Sequence, residues 1–283
     1  MSWAFFAIGS VLFFTSLNLL QRVLAVDGTY PRAIAIIFTS FGALISIGYF
    51  FLSGSYNSIK IPTQIDAWVL LFVATVCYGV YERGRFIVAK LLDASVMTTV
   101  QNVSVLVAFA GSLFLYSESL TPFKAVGAGL ILISLVLVSF TKTKTNSSIK
   151  GILLCVGISI LIGIAWMLDK RGVEYFSTEG YNVLVWTIPA LLLFLPSVKL
   201  HELTFEYRRA YKQILILAAL NVVGYLLQLK ALALTEATRV IPLLQTSTLF
   251  TVLLGIILLR ERNNIKRKMI AGVLAIIGAS LLM

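Results

Sequence analysis

The chain has 283 residues, 59% of them hydrophobic and only 12% charged. A soluble domain carries about 25% charged residues. This chain cannot clothe a water-exposed surface, and its expected solvent is a lipid bilayer. The net charge of +11 does not argue for nucleic acid, because the basic residues sit in short turns between apolar runs, where topology signals and anionic lipid headgroups account for them.

A membrane-crossing helix needs roughly 20 mostly apolar residues. In chain order the runs are Trp3–Leu24, Arg32–Leu52, Asp66–Lys90, Ala94–Leu115, Pro122–Phe140, Lys150–Leu168, Gly180–Val198, Tyr211–Ala233, Ala237–Leu259 and Arg267–Met283. The first has no charged segment before Trp3 and no clear cleavage site, so it reads as a retained span and not a signal peptide. All ten are expected to be helices, since backbone in hydrocarbon must satisfy its own hydrogen bonds. They are continuously apolar, without the alternation of a β-barrel. Thr121-Pro122 reads as an N-cap followed by proline at the first helical position. Pro189 falls inside the seventh run and is expected to kink it. Cys77 and Cys155 lie within apolar runs and read as small core residues, not a disulfide.

The order of these runs repeats. Asp93-Ala94-Ser95 through Leu115-Tyr116-Ser117-Glu118 closes the first half, and Glu236-Ala237-Thr238 through Leu259-Arg260-Glu261 closes the second, displaced by 143 positions. Gly127-Ala128-Gly129-Leu130 opens the fifth run much as Ala271-Gly272-Val273-Leu274 opens the tenth. Small residues there let helix backbones approach closely. Residues 1–141 and 150–283 are therefore two five-span repeats joined by a linker at 142–149, within the polar stretch Thr141–Ser148. Five is odd, so the second copy enters the membrane upside down. The predicted fold is an all-α polytopic membrane protein with ten transmembrane helices as two inverted five-helix repeats, a signature of alternating-access transporters.

The third to fifth and eighth to tenth runs resemble the two EamA domains of the drug/metabolite transporter superfamily. That pattern has a small-residue turn, a polar-then-apolar helix, a terminal Glu and a Gly-rich helix. Ala94 to Glu118 with Gly127 and Gly129 carries it first; Ala237 to Glu261 with Gly272 and Gly278 carries it again. Pro242 matches a proline often found early in the family's fourth span, whereas Thr99 at the equivalent place departs from it. The resemblance implies ten spans, a central cavity between the halves, and export or exchange of small metabolites.

Charged groups within a membrane usually face an interior or an aqueous cavity. In the third run Tyr78, Glu82 and Arg85 share one helical face, with Tyr81 and Arg83 beside them. This face is expected to join the substrate cavity, Arg85 binding an anionic group and Glu82 serving as a proton or countercharge site. The alternative is a structural Glu82–Arg85 pair, with Arg83 reaching to the interface. Further candidate substrate-binding residues are Asn18, Gln21, Gln101, Asn102, Trp166, Tyr225, Gln228 and Gln245; Asp169 and Thr246 also lie in apolar surroundings. For each of these alone an interhelical hydrogen bond is the plainer role. At the 143-residue offset Glu82 and Arg85 correspond to Tyr225 and Gln228, so the charge falls on one half only. Glu118 and Glu261 are expected at the interface, and Trp3, Trp68 and Tyr211 read as interfacial anchors.

His201 is the only histidine and lies between runs, so no His-based metal site is expected and no intramembrane histidine can act as a base. No phosphate-binding Gly-x-x-x-x-Gly-Lys loop is present. No cofactor, no ATP-driven step and no enzymatic activity are expected. The expected partners are a small polar substrate, protons and membrane lipids, in a monomer or weak dimer. The expected function is secondary active transport of a small, amino-acid-like or anionic metabolite across the cytoplasmic membrane. The rivals are a flippase for a lipid-linked precursor, a membrane enzyme and a structural subunit.

Alternation of ten spans puts fifteen basic residues on the side of the odd-numbered turns and six on the other. The positive-inside rule then makes the odd turns cytoplasmic and both termini external, whereas the family resemblance implies cytoplasmic termini. A reporter active only in the cytoplasm, fused after Met283, is expected to stay silent; activity there would reverse the orientation read from charge.

Overall fold

In a computed structural model of the chain, residues 2–24, 30–92, 97, 100–139, 149–195, 198–258 and 265–282 are described. They form ten α-helices: α1 (Trp3–Leu24), α2 (Pro31–Leu52), α3 (Ile65–Leu91), α4 (Val103–Tyr116), α5 (Pro122–Ser139), α6 (Ile149–Tyr175), α7 (Thr178–Leu193), α8 (Leu200–Leu234), α9 (Ala237–Leu258) and α10 (Ile265–Leu282). Among the described residues there is no strand. Met97, Val100 and Gln101 before α4 are also helical. Five helices are long and apolar enough to cross a membrane: α1, α2, α3, α6 and α8. The linker around Thr141–Ser148, the turn at Asp93-Ala94-Ser95, Thr99, and Arg260 to Glu261 lie outside the described residues.

Two helices are longer than their apolar runs. The sixth run stops at Leu168, where Asp169-Lys170-Arg171 reads as a terminus, yet α6 continues to Tyr175 because those side chains find partners. Helix α8 begins at Leu200, eleven residues before its run, and is broken at Ala210 (φ −142°, ψ 19°). Its first segment is polar enough to be missed by apolarity and still makes helical turns. At α5, Thr121 Oγ1 accepts from Lys124 N–H at 3.3 Å, with Pro122 at the first helical position. That is the capping arrangement the sequence predicts.

Unlike a soluble protein, the molecule is apolar on its outer face as well as in its core. Its outer face carries exposed Leu52, Phe114, Phe123, Ile149 and Leu200, while Ser10, Thr15, Thr39, Ser104, Ser159 and Ser247 are buried. Many interior hydroxyls donate back to the preceding turn: Thr39 to Ala35 O at 2.8 Å, Ser159 to Cys155 O at 2.6 Å. Others cross between helices, as Ser10 does to Gly224 O at 2.7 Å. Each interhelical bond of this sort contributes about 0.6 kcal/mol in a membrane, so the interior is held by many small terms and by close packing.

Several helix pairings exchange under a shift of five helices, while others, such as α5–α9, α9–α10 and α6–α8, have no such counterpart among the described residues. Exchanging each helix with the one five places on turns the α1–α8 contact into α6–α3, α1–α9 into α6–α4, α2–α8 into α7–α3, and α2–α3 into α7–α8; α2–α7, α4–α9 and α5–α10 map onto themselves. All of these contacts occur. The turns also sort onto two ends. At one, Tyr30 N–H donates to Glu206 Oε1 at 2.8 Å, Arg32 to Leu193 O and Arg83 to Leu195 O, both at 3.1 Å. At the other, the Tyr116 hydroxyl donates to Met167 O at 2.7 Å, Lys230 pairs with Glu179 at 3.0 Å, and Glu118 reaches the start of α9.

Helices α5 and α10 meet backbone to backbone. A β-carbon on Gly278 would stand 2.7 Å from Gly127 O, and one on Gly127 would stand 2.8 Å from Gly278 O. Gly129, on the same helix, has nothing within 4 Å of such an atom. Overpacking of this kind costs about 1–3 kcal/mol. Gly278→Val is therefore expected to lower the thermal unfolding temperature in detergent, and Gly129→Ala to leave it unchanged or raise it; equal effects would mean that the glycine contact does not hold the two helices.

Candidate functional site

A cavity of about 240 Å³ is lined by polar and aromatic side chains from both parts of the chain. Helix α3 brings Tyr78, Tyr81, Glu82 and Arg85 to it. Helix α8 brings Asn221, Tyr225 and Gln228. Subtracting the repeat offset of 143 turns the second set into positions 78, 82 and 85, so the equivalent faces of two equivalent helices line one space. The same holds for Asn102 and Ser104 against Gln245 and Ser247 of α9. Asn18 of α1, Gln101, Trp166 of α6 and Trp186 of α7 complete the polar and aromatic wall.

Glu82 is buried, and its Oε2 lies 2.8 Å from Arg85 Nε. The two side chains form a close ion pair inside the bundle. The Arg85 guanidinium is sandwiched between the Phe38 and Phe86 rings, each 4.7 Å from its central carbon. Aromatic faces attract a cation, so the side chain is held in place without using up its donors. An ion pair removed from water persists only if both partners are present, which fixes Glu82 and Arg85 together. Asn102 Nδ2 and Trp186 Nε1 also line the cavity, buried and without partners. The Tyr225 hydroxyl does so too, and since buried polar groups in native proteins are normally satisfied, these three atoms beside the Glu82–Arg85 pair give the cavity a polar wall.

Behind the cavity, Asp169 is fully buried. Its Oδ2 accepts from the Tyr78 hydroxyl at 2.6 Å and its Oδ1 from the Tyr181 hydroxyl at 3.1 Å. Tyr225 packs edge-on against both Tyr78 and Trp186, with ring centroids 5.9 and 6.4 Å apart. Trp186 itself presses on Gly42 of α2, where no β-carbon would fit.

Of the residues singled out in the sequence, Asn18, Tyr78, Tyr81, Glu82, Arg85, Gln101, Asn102, Trp166, Tyr225, Gln228 and Gln245 line the cavity. Arg83 does not: it points away and donates to Leu195 O, the direction its position one residue past Glu82 dictates. The Gln21 side chain lies outside the described residues. Thr39, Trp186 and Asn221 join the site without having been singled out. Asn221 was accessible through the repeat offset from Tyr78; Thr39 and Trp186 lie in apolar runs that give no local signal.

The far end of the bundle is tied shut across the halves. Glu118 Oε1 accepts from Ala237 N–H at 2.9 Å, and Oε2 from Thr238 N–H at 2.9 Å and the Thr238 hydroxyl at 2.6 Å. A carboxylate from the first half thus caps α9 of the second, where free N–H groups and the helix dipole favour negative charge. Beside it the buried Lys124 pairs with Glu236 and donates to Ser119 O at 2.8 Å.

Residues 149–283 match the EamA-like transporter family. No curated protein matches the chain. A solved chain described as "Crystal structure of protein" superposes with a TM-score of 0.75 at 17% identity, covering 99% of this chain and 95% of its own; at that identity the likeness is one of fold. Residues 149–283 are thus similar to the EamA-like transporter family, a family of the drug/metabolite transporter superfamily, and with its long apolar helices the chain is an integral, multi-pass membrane protein.

Proposed function

We propose that the chain is a ten-span secondary transporter of two inverted five-helix repeats, moving a small polar metabolite, amino-acid-like or anionic, across the cytoplasmic membrane by alternating access. The observation that carries this reading is the cavity at the seam, lined by the equivalent faces of α3 and α8. A site placed between two related halves is exposed to either side when they rock about it. The exchange of helix pairings under the repeat supports the same frame.

The charge within that frame is one-sided. Arg85 meets an anionic group with donors left unused by Glu82, and Glu82 supplies the countercharge. Where α3 carries these charges, α8 carries Tyr225 and Gln228, which suit neutral and aromatic parts of a ligand. Opening the far end requires release of Glu118 from α9 and of Lys124 from Glu236. Loss of a helix cap costs about 0.5–2 kcal/mol, a barrier that bound substrate can offset.

Purified protein in liposomes, loaded in turn with a panel of amino acids and small organic acids, is expected to exchange at least one labelled compound. Arg85→Ala is expected to abolish that exchange, and Trp166→Phe to retain it. Exchange that survives Arg85→Ala undiminished would remove Arg85 from the binding site; no exchange across the panel would count against this substrate class.

A further inference from the structure

The cavity holds one ionisable pair, and that pair is internally balanced. Glu82 has Arg85 at 2.8 Å, so it need not change its protonation to remain buried. Asp169 is different. It is fully buried, and among the described residues no ion pair reaches it. The cations next to it in sequence are directed elsewhere: Lys170 donates to Leu232 O at 2.9 Å and pairs with Glu174 at 3.4 Å, and Arg171 pairs with Glu174 at 2.8 Å and lies over the Tyr116 ring. The ionisable groups that do face it are tyrosines from four packed helices: Tyr78 of α3, Tyr116 of α4, Tyr181 of α7 and Tyr225 of α8. The one charged residue described on α9, Arg239, is turned to Glu236 at 3.3 Å. An ionised carboxylate in hydrocarbon is held only by donors aimed at it, and here those donors are hydroxyls that can also turn around.

The two protonation states present different faces to the cavity. With Asp169 ionised, both oxygens accept, and the Tyr78 hydrogen is committed to Oδ2 at 2.6 Å. With a proton on Oδ2, that oxygen becomes a donor and the Tyr78 oxygen accepts from it. Tyr78 keeps its own hydrogen, which must then point elsewhere. Tyr78 and the neighbouring Tyr225, whose hydroxyl has no partner, line the cavity and Tyr181 does not, so the freed hydroxyl hydrogen turns to the cavity side, onto the Tyr225 oxygen or a bound ligand. We propose that Asp169 is the proton-binding site of this chain and that Tyr78 relays its protonation to the substrate cavity. The proton and an acceptor group on the ligand then favour each other's binding, and the coupling is reciprocal. Asp169 and Tyr78 would be positioning residues for the ligand, acting through the tyrosine hydroxyl.

This coupling rests on the transport reading above, but proton binding is measured without transport. Aspartate occurs at positions 27, 66, 93 and 169. In the full chain with Asp27, Asp66 and Asp93 replaced by Asn, carboxyl-labelled aspartate reports on Asp169 alone. In lipid nanodiscs, infrared titration is expected to show an isotope-shifted carboxylic-acid band that appears on acidification. Tyr78→Phe is expected to displace its midpoint, and Tyr207→Phe, at an exposed position outside this cavity, to leave it in place. An Asp169 signal that stays ionised while the protein remains folded would overturn the site; a midpoint untouched by Tyr78→Phe would overturn the relay. Either failure leaves the exchange assay to judge transport separately.

Discussion

Hydrocarbon offers no hydrogen bonds, and every polar group within the bundle must find its partner inside the protein. That constraint orders the rest of the structure. It makes helices the only element among the described residues, sends Leu52 and Phe114 outward, and returns the Thr39 and Ser159 hydroxyls to carbonyls of their own turns. It also makes exceptions informative. Asn102, Trp186 and Tyr225 keep polar atoms without hydrogen-bond partners beside the Glu82–Arg85 ion pair, and all five side chains border one cavity, whereas Asn182 and Thr187 do so away from it. The gathered set is what the proposed ligand site rests on.

In the proposed duplication the shared frame is symmetric, and chemistry enters where the two parts differ. Pairings such as α1–α8 and α3–α6 exchange with each other, whereas the cavity faces of α3 and α8 carry unlike side chains. A perfectly symmetric site would present the same chemistry from both halves. Placing the guanidinium and carboxylate on α3 alone gives the cavity a direction, so a ligand with distinct ends has one favoured orientation. Asp169 adds to that asymmetry, because Leu168-Asp169-Lys170 answers to Leu20-Gln21-Arg22 in the sequence, with a neutral amide where the second part has a carboxyl.

Much of this was legible in the chain because membrane helices announce themselves by apolarity alone. The starts of α3, α5 and α9 fall within a residue of the apolar runs. Boundaries failed where polarity was compensated in three dimensions. Asp169 and Lys170 end an apolar run, yet they continue α6 because Tyr78, Tyr181 and Leu232 receive them. The face of α3 could be read from helical spacing, and the same spacing sends Arg83 away from the cavity. Trp186 could not be found that way: a tryptophan in an apolar run has no local mark, and its role depends on Gly42 and Phe38 from α2. Glu118 looked interfacial for a related reason, since its partners lie 119 and 120 residues further along.

That long reach of Glu118 also bears on assembly. The chain is made from its N-terminus, and the carboxylate is in place before α9 exists. When Ala237 and Thr238 emerge, their amide hydrogens have no acceptor within their own half and take one from the earlier copy. The second repeat therefore completes its own secondary structure with material from the first. The N-terminal and C-terminal parts of the chain are therefore not independent: the start of α9 is capped by a side chain from the first.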